Sequence, residues 1–187
     1  MIYVFMANGT EEVEAVATID MLRRAELDVM TLGIGSQMIV GSHGIGLVCD
    51  ADVKNITPDE TLQAVVIPGG MPGTLNIEKS PFAQKFIDYA NENGKLICAI
   101  CAAPSILGHK GLLKGKKATC FPGFEDELEG AVFVDEGVVQ DGNIITAKGA
   151  GVAIEFGLKI GRKCLASDSA ACITTSRFIF PSWAPLP

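Results

Sequence analysis

Apolar positions along this chain fall into two kinds of run. Ile2–Met6, Ala64–Ile67 and Leu96–Ile100 are short and carry no charge at any position, the pattern of strands buried on both faces. Longer runs are amphipathic. Val13, Val16, Ile19, Met21 and Leu22 form an apolar stripe over residues 11–24, which predicts a helix. Thr10 is the expected N-cap, Glu11 and Glu12 fall in the first turn, and Arg23-Arg24 suits the C-terminal end. The same reading predicts helices over 81–93, 103–107 and 152–160. It predicts further strands at 28–32, Met38–Val40, 47–49, 118–119, 138–139 and Ile144–Ala147. Strand–helix alternation with fully apolar strands predicts an α/β layer sandwich, a mostly parallel sheet with helices on both faces. No repeat, low-complexity tract or linker divides residues 1–187, so a single domain is expected.

Composition narrows the function classes. The formal charge is −7, which disfavours phosphate backbones as ligands, so no obligate nucleic-acid partner is expected. Residues 31–49 lack Asp, Glu, Lys and Arg but are broken by glycines, serines and His43, unlike a membrane span. The apolar N-terminus has no basic flank or cleavage site and reads as a first strand rather than a signal peptide. Six cysteines without framework spacing predict a reduced, cytoplasmic protein.

Chemistry in an open parallel sheet collects where central strands end and helices begin. Ala64–Ile67 runs into Pro68-Gly69-Gly70-Met71-Pro72-Gly73, and Leu96–Ile100 runs into Cys101-Ala102-Ala103-Pro104. A cysteine on a strand-to-helix turn has the geometry of a nucleophile elbow. The helix start is expected to lower the thiol pKa, and the Gly70 and Ala102 N–H groups to form an oxyanion pocket. Cys98 and Cys101 also make a C-x-x-C pattern. Cys98 lies inside the strand, however, and zinc would need two further ligands in a chain whose only histidines are His43 and His109, so no metal is expected. No histidine adjoins Cys101. Glu14 is the candidate proton partner, expected to be protonated and to donate to the sulfur, because two like charges would oppose each other.

These residues together form a signature. The pieces are Gly9-Thr10-Glu11-Glu12-Val13-Glu14, Met21-Leu22-Arg23-Arg24-Ala25, Val66-Ile67-Pro68-Gly69-Gly70, Ala99-Ile100-Cys101-Ala102-Ala103-Pro104, and Lys148-Gly149-Ala150-Gly151 followed by Glu155-Phe156. In order and spacing the chain resembles the ThiJ/PfpI superfamily over about residues 1–161, in the branch of the parkinsonism-associated protein deglycase and its bacterial relatives. The resemblance implies a flavodoxin-like fold and a homodimer. It further implies Cys101 as the reactive cysteine, Glu14 as its protonated partner, Gly70 and Ala102 as backbone donors, and no cofactor. The activity it implies is glyoxalase or deglycase chemistry on methylglyoxal or its early glycated adducts. The alternative is a redox-responsive stress sensor or chaperone working through oxidation of Cys101.

Three positions depart from the superfamily's patterns. Ala102 stands where the protease-like branch has a histidine, which argues against peptide hydrolysis. Phe121 stands before Pro122 where some deglycase-type members carry a histidine. Lys148 replaces a more usual arginine and loses its planar fork. From Cys164 onward no helical stripe is evident, and residues 164–187 are expected to form a divergent, irregular arm.

Overall fold

The computed structural model describes residues 1–167. Its elements in chain order are β1 Ile2–Met6, α1 Glu12–Arg24, β2 Val29–Gly33, β3 Met38–Val40, β4 Gly46–Val48, β5 Ala51–Asp52, β6 Ala64–Ile67, α2 Gly73–Glu78, α3 Pro81–Glu92, β7 Leu96–Ile100, α4 Pro104–His109, β8 Lys117–Ala118, β9 Val132–Phe133, β10 Val138–Asp141, β11 Ile144–Ala147 and α5 Ala153–Ser167. The main sheet has seven strands in the order β10-β11-β7-β6-β1-β2-β5. All its pairings are parallel except the β10–β11 hairpin. This is the doubly covered, flavodoxin-like α/β sandwich that the sequence predicts.

Period-two alternation sorts each central strand onto two cores. Tyr3, Phe5, Val65, Ile67, Ile97 and Ala99 face the side covered by α2, α3 and α4. There Phe86 meets Tyr3 and Phe5 edge-on, with ring centroids 5.0 and 5.6 Å away, a geometry worth about 1 kcal/mol per pair beyond area burial. Ile2, Val4, Val66, Cys98, Ile100 and Ile145 face the other side with Leu22 of α1 and Phe156 of α5. The α1 and α5 helices lie so close that a Cβ on Gly157 would come within 2.9 Å of Met21 Cβ.

Two details of α1 differ from expectation. The N-cap is Glu11, whose side chain accepts the Glu14 N–H, while Thr10 Oγ1 accepts the Ala7 N–H and stabilises the preceding turn. The buried face carries Glu12, Glu14, Ala15, Thr18 and Leu22, whereas Val13 and Val16 are exposed. The expected stripe holds at Ile19 and Leu22, which pack inward, and fails at Val13 and Val16: in the first turns two carboxylates point inward and two valines outward. The hairpin β3–β4 packs Ile39 against Ala15 and leaves Met38, Val40, Ile45 and Val48 exposed.

Short elements escaped the pattern reading: β5, β9 and α2 are two, two and six residues long. Conversely, α5 runs to Ser167, so the chain is still helical at residues 164–167, where an irregular arm was expected to begin. The rest of that arm lies outside the described residues. Among the described residues, no helix is long and apolar enough to cross a membrane.

Candidate active site

Four loops converge at the carboxyl ends of β1, β6, β7 and β11. Cys101 follows β7 with φ +66°, a left-handed backbone that a side chain other than Asn or Asp rarely adopts. Its N–H donates to Ala147 O at 2.9 Å and its carbonyl accepts from Phe121 N at 2.8 Å. These two bonds hold the turn and separate Cys101 from both flanking elements. The side chain is partly exposed, in contrast to the buried Cys49, Cys98, Cys120 and Cys164.

Glu14 reaches the same point from the first turn of α1. Its carboxyl is 1% exposed and bonds the Cys101 thiol, the Gly69 N–H and the Ala150 N–H. The Gly69 bond is 2.9 Å long, to Oε2. The N–H groups of Gly70 and Ala102 are directed at the Cys101 sulfur. All four residues singled out from the sequence therefore meet.

Glycine is required twice in the Pro68-Gly69-Gly70 turn. A Cβ on Gly69 would fall 2.6 Å from Cys101 Cβ and 2.8 Å from Glu14 Oε2. Gly70 has φ +88°, and a Cβ there would fall 2.3 Å from Glu11 N. The turn is also tied to α1 by the Glu11 N–H to Gly69 O bond at 3.0 Å, so cap, loop and nucleophile form one unit.

Electrostatics make the two reactive side chains a coupled pair. Burial pushes the Glu14 carboxyl up to about 7, against the thiol and N–H bonds that favour its charged form; nearby Glu11 pushes it further up. Burial also pushes the Cys101 thiol up, to about 12, and the Glu14 carboxylate adds to this by its charge and its hydrogen bond. The Gly70 and Ala102 N–H groups pull the other way. The lowered thiol expected from a helix start is thus corrected: burial of the sulfur, reinforced by the acid at close range, outweighs the two backbone donors. What the pair offers is a base poised near neutrality beside a protonated thiol.

Residues missed in the sequence complete the rim. Gly69 and Ala150 supply N–H groups to Glu14, and the paired glycines and the Gly149-Ala150 run after β11 were the available signals. Phe121 is 47% exposed, and its ring edge lies 3.3 Å from where a Gly149 Cβ would stand, with Glu14 Oε1 3.7 Å from that same point. It is an apolar wall near the carboxyl. Lys148 pairs with Asp135.

Three other groups lie apart from the sulfur. Burial works to raise the Glu12 carboxyl, yet hydrogen bonds from the His43 ring and N–H and from the Ile45 N–H hold it down at about 2. Glu11, Glu12 and His43 bring ligand-type atoms within 4.8 Å of one another, but His43 Nδ1 is already bonded to Glu12 at 2.9 Å. His109 is clamped between Glu78 and Glu127 at 2.5 and 2.8 Å, and these bonds raise its pKa. Cys98 lies in the strand core, away from the elbow turn.

Comparison with known proteins follows the same outline. The model of the DJ-1/PfpI family matches residues 1–163. Protein DJ-1 homolog B of Arabidopsis thaliana is 38% identical over 168 residues, covering 88% of this chain and 38% of that protein. The chain spans less than half the length of the two Arabidopsis relatives that it matches. The glutathione-independent glyoxalase DJR-1.2 of Caenorhabditis elegans is 33% identical over 152 residues, 80% of each chain. A solved DJ-1 superfamily protein from Salmonella typhimurium superposes with a TM-score of 0.83 at 37% identity, covering 90% of this chain and 91% of the other.

Proposed function

This chain belongs to the DJ-1/PfpI family, and from that premise we propose that it is a cysteine-dependent, cofactor-free glyoxalase or deglycase acting on methylglyoxal or its early adducts. The observation that carries the reading is the meeting of a partly exposed thiol on a left-handed turn with a buried carboxyl of pKa about 7. General-base catalysis is most effective when the base titrates near the working pH.

In this mechanism the Glu14 carboxylate takes the Cys101 proton as the sulfur adds to the aldehyde carbon. The carbonyl electron pair moves to oxygen, where the Gly70 and Ala102 N–H groups stabilise it. Glu14 then returns the proton, giving a hemithioacetal. Next it removes the proton from the former aldehyde carbon, and the electrons form an enediol whose ketone-derived oxygen is protonated by water. Glu14 gives its proton to the second carbon while the hydroxyl on the first carbon loses its own to the hydroxide left by that water, which yields a lactoyl thioester. A further water then attacks the thioester carbon, and the sulfur leaves as the thiol, taking a proton from that water. One carbon is oxidised as its neighbour is reduced, so methylglyoxal and water give lactate with no outside oxidant or reductant. The test is lactate formation without glutathione or added metal. Cys101→Ala is expected to abolish it; full turnover by that variant would overturn the mechanism.

One observation favours a second reading, a stress sensor operating through Cys101: it is the partly exposed cysteine among the five described. Two equivalents of peroxide would oxidise the sulfur to a sulfinate, each being reduced to water, and the Glu14 and backbone donors would bond the new oxygens. Mass spectrometry after mild peroxide would show two added oxygens at Cys101 with Cys49 and Cys98 reduced. Oxidation spread over all the cysteines would count against it.

We also propose a homodimer through Val13 and Val16 of α1 and Met38, Val40 and Val48 of β3–β4, because these large apolar side chains are exposed and a partner surface would bury them. Cys49, Cys98, Cys101 and Cys120 are not in disulfides, which fits the reducing cytoplasm.

A further inference from the structure

The amino ends of the same strands carry a second chemical concentration, of charge. Two adjoining cavities, of about 460 and 580 Å³, share Gly142 of the β10–β11 turn and Lys163 of α5. Lys95 and Lys163 line the first, with Asn143; Lys117, Lys159 and Lys163 line the second. Lys116 Nζ stands 3.6 Å from where a Gly142 Cβ would be. Five lysines from three separate stretches of chain thus gather around one turn in a protein of net charge −7.

Their surroundings distinguish them. Lys54, Lys110 and Lys148 each sit on an aspartate. Among the described residues, none of the five at the β10–β11 turn has an ion pair within 4 Å; Lys95 Nζ donates to the Glu60 carbonyl at 3.3 Å. Two acids are near: Glu136 lines the second cavity, and Asp141 accepts the Lys117 backbone N–H at 2.9 Å, so two carboxylates stand against five ammonium groups. Lys159 and Lys163 stand four apart on one helix, where like charges destabilise. Such crowding is relieved by a bound anion.

We infer that this lysine-lined pair of cavities is a binding site for a compact polyanion, a small molecule bearing two or more phosphate groups. The cavities are of small-molecule size, and an ammonium is a point-charge phosphate ligand. The chain's overall negative charge repels long polyanions, which leaves a compact one as the occupant. The five residues of β7, about 15 Å of strand, lie between Lys95 and Cys101, so this site is separate from the thiol chemistry and stands whether or not that chemistry is as proposed.

The test is calorimetric titration of the full chain with inorganic tripolyphosphate at moderate salt. Saturable one-to-one binding is expected, weakened by about tenfold or more in Lys159→Gln/Lys163→Gln and unchanged in Lys79→Gln/Lys85→Gln, with melting curves confirming that the variants fold. In the unaltered protein, the amide resonances of Gly142 and Asn143 should shift on addition of tripolyphosphate and those of Cys101 and Ala102 should not. Absence of saturable binding, or equal weakening in both double variants, would overturn the site. Tighter binding of duplex DNA or of anionic vesicles than of tripolyphosphate would overturn its assignment to a compact anion.

Discussion

Gly69 binds Glu14 and makes room for it at the same time: its N–H reaches Glu14 Oε2 at 2.9 Å, and the space that a Gly69 side chain would take holds that oxygen and Cys101 Cβ. One residue thereby sets how closely acid and sulfur approach. Gly69→Ala should cost about 1–3 kcal/mol through overpacking and lower lactate production more than any loss of folded protein explains. Denaturant unfolding and steady-state kinetics on the same preparation check both. Unchanged kinetics would mean that the contact is not tight in solution.

Removing the base without changing its shape isolates its role. Glu14→Gln keeps an acceptor for the backbone donors but cannot take a proton, and kcat/KM for methylglyoxal should fall by about 10²–10⁴. Glu14→Asp, one carbon shorter, should recover only part of that.

The buried acid also leaves a mark on stability. Glu14 ionises at 4.5 in the open chain and at about 7 when folded, so between these values the native state holds more protons and stability falls as pH rises. The stabilising protonated form is intact below pH 4.5, and the cost is complete above pH 7. At 1.36 kcal/mol per pH unit this amounts to about 3 kcal/mol. Glu12, held at about 2, acts oppositely and at lower pH. The difference in unfolding free energy between the protein and Glu14→Gln, followed from pH 4 to 8, should show this slope. A flat difference would contradict the raised carboxyl.

Phe121 stands at the mouth in place of an acid–base group. Phe121→His should raise kcat/KM for methylglyoxal by about tenfold or more, within the range that a positioned imidazole supplies. Phe121→Ala should not. Parallel kinetics of the two variants decide whether the gain belongs to the ring nitrogen or to the removal of bulk.

Val13 and Val16 are about half exposed on α1. The proposed homodimer should sediment as a dimer in the unaltered protein and as a monomer in Val16→Asp, with little change in melting temperature; a monomeric unaltered protein would overturn it. An unaltered sedimentation coefficient would place the interface elsewhere.

Much of this was legible in the residues because backbone rules decided it. A charge-free run has one home, the middle of a covered sheet, so Leu96–Ile100 located β7 and with it the Cys101 turn. A glycine pair after Ala64–Ile67 announced close approach, and it is Gly69 and Gly70 that touch the site. Packing, by contrast, was not legible. Val13 and Val16 look like core positions by hydropathy, but the buried side of α1 is fixed by what Glu14 and Glu12 must reach across space. Glu12 is satisfied by the backbone of residues 43 and 45, some thirty positions away, and no local pattern reports such a partner. The thiol differs for a related reason: a strand-to-helix turn suggests a lowered pKa and the residues do name Glu14 as its partner, but how deeply sulfur and acid are buried is set by the fold, and burial raises the thiol first. Elements as short as β5 carry too few residues for any period.

Glu14 and Cys101 must titrate as a pair for this chemistry, with one proton shared between about 7 and about 12. The pH dependence of Cys101 alkylation by iodoacetamide, followed by mass spectrometry at that residue, measures this directly. The rate should rise through an inflection near pH 7, and the inflection should vanish in Glu14→Gln. A single inflection near the free-thiol value of about 8.5, the same in both proteins, would contradict it.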